Sequence, residues 1–170
     1  MEFVADRHLR LRTWDLVFRA VPPFVLGRSR AQCLRVAGFA IGRGTAFWGF
    51  PTIVGAGNFE KRLVIGRHCG FNVGCFFDLQ GTITFGDNVA AGHRVMFLSQ
   101  NSTKGASNGT SGHGDISIGE GVWLGARATV CPGVTIGAGS VVAAGVVVKQ
   151  NLPENTLFTG SHRISLARWR

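Results

Sequence analysis

From Ile118 to Val148 one large apolar residue returns at every sixth position: Ile118, Leu124, Val130, Ile136, Val142 and Val148. Four places after each of the first five stands a smaller residue, Val122, Ala128, Val134, Ser140 or Val146. Glycine directly follows the large residue at Gly119, Gly125 and Gly137. Such a period fits neither an amphipathic helix nor the simple alternation of a half-buried strand. It fits a flat side, then a corner, with three sides closing a triangular coil and one large and one small side chain turned inward per side. Glycine near a corner permits backbone conformations that a Cβ disfavours, and successive coils pair as parallel strands about 4.8 Å apart. The pattern predicts an all-β chain, a parallel β-helix of hexapeptide repeats.

The same beat is audible earlier, at Ile65, Phe71 and Phe77. Two extra residues then precede Phe85, Ala91 and Phe97, which predicts a bulge or wider corner around Leu79–Thr82. The repeat begins near Ile41, and residues 47–62 keep the strand-and-glycine texture while losing strict spacing. Residues 103–114 (TKGASNGTSGHG) carry no large apolar side chain, so they form a loop that leaves the β-helix. Roughly four to five coils are expected. Upstream, Leu11, Trp14, Phe18 and Val21 share one helical face within residues 6–21, and Pro22-Pro23 end that helix. It reads as a cap over the first coil, whose open edge would otherwise invite aggregation. Its arginines also allow weak contact with an anionic membrane surface. A short second helix through Cys33–Val36, closed by Gly38, completes the cap. The expected organisation is a helical cap over 1–40, the β-helix over 41–153 and a tail over 154–170.

Charge and cysteine content refine this. The chain has 170 residues, suited to one domain, and a net charge of +9. No dense Lys/Arg tract interleaved with aromatics accompanies that charge, so it points to an acidic ligand rather than to nucleic acid. The four cysteines form no CxxC pair. Cys69 and Cys75 fall on small inward positions of the repeat, as packing groups rather than metal ligands or disulfide partners. A reducing, cytoplasmic setting fits them. No signal-peptide pattern follows Arg7, Arg10 and Arg12. The segment Leu16–Leu26, broken by Arg19 and Pro22-Pro23, is too short to span a bilayer.

The run GEGVWLGARATVCPGVTIGAGSVVAAGVVVK resembles the C-terminal coils of the hexapeptide-repeat O-acetyltransferases, of the maltose, galactoside and polysaccharide types. The match is dense over 115–153 and looser from about 64 to 102. The resemblance implies a left-handed β-helix, a homotrimer with an active site at each interface, acetyl-CoA as co-substrate, no metal, and a saccharide hydroxyl as acceptor. O-acetyl transfer needs a general base for that hydroxyl and donors for the oxyanion. In the resembling enzymes the base histidine ends a V-x-x-x-[ST]-x-x-H run. Here the run is Val95 to Ser102, so Ser102 stands at the histidine's place, beside the acceptor. His113, in the loop that leaves after Ser102 and returns near it, is the first candidate for the base, and His93 the second. By the same resemblance Trp123 borders the pantetheine slot and Gly125, Ala126, Ala144 and Gly145 line it. Lys149 faces the coenzyme's phosphates. Asn72 and Asp78 bind the acceptor or orient the base. The family's usual ending is altered here to Gly160-Ser161-His162-Arg163-Ile164. Two other classes compete: a non-catalytic β-helix that binds or assists assembly, favoured by Ser102, and a zinc hydratase. The latter needs three converging histidines, and the five here lie at 8, 68, 93, 113 and 162.

Overall fold

The computed structural model describes residues 26–101 and 112–166. The helix expected over 6–21, Ser102 with most of the loop, and the last four residues lie outside the described residues.

Three parallel sheets wrap one core. The first face runs through Ala40–Ile41, Leu63–Ile65, Ile83–Phe85, Ile116–Ile118 and Thr135–Ile136. The second begins with Ala46–Phe47, Gly70–Phe71, Ala90–Ala91, Trp123–Leu124 and Val141–Val142. The third holds Thr52–Gly55, Phe76–Leu79, Met96–Leu98, Thr129–Val130 and Val147–Val148. Each face therefore carries five coils of the solenoid, in register. Thr156–Phe158 continues the second face on Val141–Val142, and Arg163–Ser165 folds back antiparallel against it. That reversed strand occupies the edge on which a further coil would otherwise stack.

The inward column explains the period. Phe71, Phe77, Phe97, Leu124, Val130, Ile136, Val142 and Val148 are all buried. In the early coils phenylalanines pack on one another: Phe47 stacks on Phe71 at 4.9 Å, and Phe85 meets Phe97 edge-on at 4.9 Å. Such pairs contribute about 0.5–1.5 kcal/mol beyond area burial. The small inward positions hold Cys69 and Cys75, and burial pushes the Cys75 thiol up to about 12. The loss of beat after Ile41 is narrower than the sequence led us to expect. Ile41, Phe47 and Ile53 keep the six-residue step, and only Ala56–Arg62 departs, where a single 3-10 turn (Phe59–Arg62) tucks Phe59 inward. The wide corner after Leu79 is present, as a bend at Gln80–Gly81.

The cap helix spans Gly27–Val36, longer than expected, and Gly38 (φ 104°) ends it by donating its N–H to the Arg35 carbonyl. Its arginines cover the open rim of the first coil. Arg35 Nε donates to the Ile41 carbonyl at 2.7 Å, and Arg30, buried, donates to the Phe47 and Trp48 carbonyls at 3.4 Å. Charged groups on an exposed strand edge deter edge-to-edge pairing.

One corner position per side takes left-handed backbone. Between the second and third faces it is occupied by Gly74 (φ 79°), Arg94 (57°), Arg127 (60°) and Gly145 (74°). Glycine adopts this freely, whereas each arginine bears about 1–2 kcal/mol of local strain.

Candidate functional site

Two corners of the triangular prism gather the residues singled out in the sequence. The corner between the second and third faces holds most of them. Register places His93, Ala126 and Ala144 one above another in successive coils, and Asn72 begins the same corner in the coil before His93. The coils are tied there by Arg94 N–H to the Val73 carbonyl (2.9 Å), Arg127 N–H to His93 (2.8 Å) and Gly145 N–H to Ala126 (2.8 Å). Gly125 is needed for this spacing, because a Cβ on it would lie 2.5 Å from the Ala144 nitrogen. The close approach keeps the wall of the corner flat from Ala126 to Gly145. Trp123 opens the strand leading into it and is 57% exposed, an unusual place for so large an apolar ring. Below it on the second face stand only Ala90, Gly70 and Ala46. Lys149 is exposed at the end of the third face, two residues from the exposed Val147.

The second cluster lies between the third and first faces, at the base of the loop. Gln100–Asn101 and Gly112–His113 pair antiparallel, with Gln100 opposite His113. Gly114 N–H donates to the Ser99 carbonyl at 2.8 Å. His113 is thus held in a two-stranded stem rather than carried on the free arc that its sequence context led us to expect. The stem is bolted to the coil below. Ser99, wholly buried, donates its hydroxyl to the Asp78 carbonyl and accepts the Gly81 N–H at 2.8 Å. The Asp78 carboxylate, 8% exposed, accepts the Gln100 N–H at 3.2 Å. Asp115 accepts the Thr82 N–H at 2.7 Å, closing the wide corner from the other side. A buried carboxylate satisfied by the backbone of the loop base fixes where His113 begins.

Within one chain, then, His113 and Asp78 share one corner, and Asn72, His93, Ala126, Ala144 and Gly145 share another. Ser99 entered the sequence reading only as the hydroxyl position of the Val95–Ser102 run, and Gln100 and Asp115 had no role in it. The available signal was Ser99 itself, a hydroxyl at an inward-facing position that had to find partners. His68 and His162 stand at a different corner and in the C-terminal turn. Among the described residues no three of His, Cys, Asp and Glu gather as a metal set, and no helix is long and apolar enough to cross a membrane.

Fold and repeat define a hexapeptide-repeat β-helix protein. The family model for the bacterial transferase hexapeptide (six repeats) matches residues 115–150. The chain resembles the hexapeptide-repeat acetyltransferases in sequence and in coil geometry. A putative acetyltransferase of Schizosaccharomyces pombe is 40% identical over 93 residues, 53% of this chain and 45% of the relative. The galactoside O-acetyltransferase of Escherichia coli is 33% identical over 114 residues, 61% of this chain and 52% of the relative. The chain spans about half the length of the curated relatives it matches. Among solved structures, a hexapeptide-repeat acetyltransferase of Vibrio cholerae complexed with acetyl coenzyme A superposes with a TM-score of 0.77 at 25% identity, over 94% of this chain and 85% of that one. A galactoside acetyltransferase in complex with coenzyme A gives 0.76 at 25% identity, over 94% and 80%.

Proposed function

We propose that the protein is an acetyl-CoA-dependent O-acetyltransferase that acylates a sugar hydroxyl of a surface polysaccharide or its precursor, as a homotrimer in the cytoplasm. The observation that carries this is the stack of small residues Ala126, Ala144 and Gly145 beside an exposed Trp123, on a fold whose solved relatives hold coenzyme A or acetyl-CoA. Backbone groups at Ala126 and Ala144-Gly145 suit a pantetheine arm, because nothing there projects beyond a methyl group. Lys149 lies on the adjoining face for the coenzyme's phosphates.

The division of the candidate residues between two corners supports the trimer. His113 and Asp78 of one copy meet the Asn72–Ala144 corner of the next when prisms pack around a three-fold axis, and each interface then holds one complete site. Side-chain character favours such packing. The outward positions of the third face include Phe76, Met96 and Val147, and those of the second Trp123, Val141 and Leu157. On the first face Val64, Thr84, Ser117 and Thr135 stand in the same register, with hydroxyl side chains at all but Val64. In this arrangement His113 takes the acceptor's proton as the hydroxyl oxygen attacks the thioester carbonyl, and the coenzyme leaves as a thiol. His93 is the second candidate, since it already stands in the coenzyme's corner.

Thiol release from acetyl-CoA with a panel of saccharides tests the activity, and calorimetry tests the coenzyme. His113→Ala is expected to lower turnover by about 10²–10⁴ with coenzyme binding nearly unchanged. Light scattering that gave a monomer mass would remove the shared site. No binding of acetyl-CoA at about millimolar concentration would end the transferase reading. It would favour a non-catalytic binding or assembly protein, the reading that Ser102 in the histidine's place supports.

A further inference from the structure

The left-handed column at the corner between the second and third faces has an unexpected composition. The backbone there asks for glycine, and glycine stands at its two ends, Gly74 and Gly145. Between them the chain places Arg94 and Arg127, both exposed, in successive coils about 4.8 Å apart. Arginine is a poor choice twice over. It strains the backbone, and the second guanidinium adds a like charge next to the first. No carboxylate offsets them: none of the residues 72–75, 92–95, 125–128 and 143–146 is Asp or Glu, and among the described residues neither arginine forms an ion pair. The other exposed basic corner is built differently, with Arg67 held by Asp87 at 2.8 Å. The Cγ of Arg94 stands above Gly74, 3.0 Å from where a Cβ on that glycine would lie. Left-handed non-glycine residues also stand at the corner between the first and second faces, at His68, Asn88 and Asn155, but only at this corner are two of them arginines in successive coils.

We infer that Arg94 and Arg127 form an oxyanion-binding pair, taking a phosphate or carboxylate of a bound molecule on this corner, between the rungs of Asn72 and Ala144. Resting on the transferase reading, the pair makes the site selective for a negatively charged reactant. Two planar forks one coil apart match the oxygens of such a group bidentately. The anion is supplied either by an acidic acceptor, such as a uronic acid, or by the phosphates of the coenzyme.

Arg94→Gly and Arg127→Gly are suitable perturbations, because each gives the backbone the residue it favours, so folding is retained and the charge alone is lost. Binding of inorganic pyrophosphate to the full chain is the first readout, by calorimetry at low and high salt. The unmodified protein should bind it with marked salt sensitivity. The double variant should weaken binding by about 10-fold or more, and Arg94→Lys should restore part of the loss in the Arg94 single variant. Equal binding by the double variant, or no binding by the unmodified protein up to about 20 mM, overturns the pair. Two further arms find the source of the anion. If acetyl-CoA weakens while S-acetylpantetheine and D-glucuronate do not, the oxyanion is the coenzyme's. If D-glucuronate weakens while D-glucose and acetyl-CoA do not, it is the acceptor's. Should arginine-dependent pyrophosphate binding persist in a protein that never binds acetyl-CoA, the pair stands and the transferase reading falls.

Discussion

Ser99→Ala removes a single oxygen, and the cost can be worked from its neighbours. The hydroxyl donates to the Asp78 carbonyl and accepts the Gly81 N–H, across a separation of 21 residues in the first case. With Ser99 wholly buried, neither group gains another partner from the alanine methyl. Each buried group left unpaired costs about 1–3 kcal/mol, so the variant should lose roughly 2–6 kcal/mol. For a chain of this size that is a fall in Tm of about 4–24 °C, measured by calorimetry or denaturant titration. Ser140→Ala is the matched control. Its hydroxyl makes the same pair of bonds, donating to Pro153 at 2.8 Å and accepting from Thr156 at 3.1 Å, but far from the loop. Both variants should lose similar stability, while only Ser99→Ala should speed exchange of the Gly81 amide and reduce turnover. A Ser99→Ala protein within about 0.5 kcal/mol of the parent would refute the reasoning. So would one whose Gly81 amide stayed fully protected.

Gly125→Ala would put a Cβ 2.5 Å from the Ala144 nitrogen and force two coils apart at the flat wall. It should cost about 1–3 kcal/mol and weaken acetyl-CoA binding beyond what its Tm shift explains, as read by calorimetry at a temperature where the variant is folded. The Asp87 carboxyl is held below its ordinary value by the Arg67 backbone N–H and then by the Arg67 side chain. Its contribution to stability is therefore complete above the unfolded value of about 3.9 and declines as pH falls through the lower folded value. Asp87→Asn should flatten that acid limb in pH-dependent unfolding, and high salt should shrink the difference between the two proteins. Burial raises the Cys69 and Cys75 thiols. Alkylation at about pH 8 should spare both in the folded protein, and peptide mapping would detect the contrary.

The β-helix was legible because its period is carried by residues that must all point inward. From Ile118 onward nothing interrupts them. Near Phe47 the same step was present but hidden, since Trp48 and Phe50 stand beside it and hydropathy alone does not separate an inward phenylalanine from an outward tryptophan. Asp78 stands in an otherwise apolar run, so its carboxylate needs a partner. That partner, the Gln100 N–H, lies a full coil away, and no local pattern connects them. The hairpin that fixes His113 was invisible for a different reason. Its strands, Gln100–Asn101 and Gly112–His113, are two residues each and polar, so pairing rather than hydropathy defines them. The left-handed column is hidden in the sequence because glycine marks only its ends, Gly74 and Gly145, while Arg94 and Arg127 fill it between them.

The ladder of coils is also a ruler. Asn72 sits in the second coil, His93 in the third, Ala126 in the fourth and Ala144 in the fifth, and the step between rungs is fixed by backbone hydrogen bonds at about 4.8 Å. The span from Asn72 to Ala144 is therefore about 14 Å, whatever side chains the corner carries. Substitution can change what is gripped at each rung but cannot alter the distance between grips; only the gain or loss of an entire turn can. Local mutation can therefore change what each rung holds while the reach between the Asn72 and Ala144 rungs stays constant. A duplicated turn would lengthen that reach by one whole rung, with no intermediate lengths available.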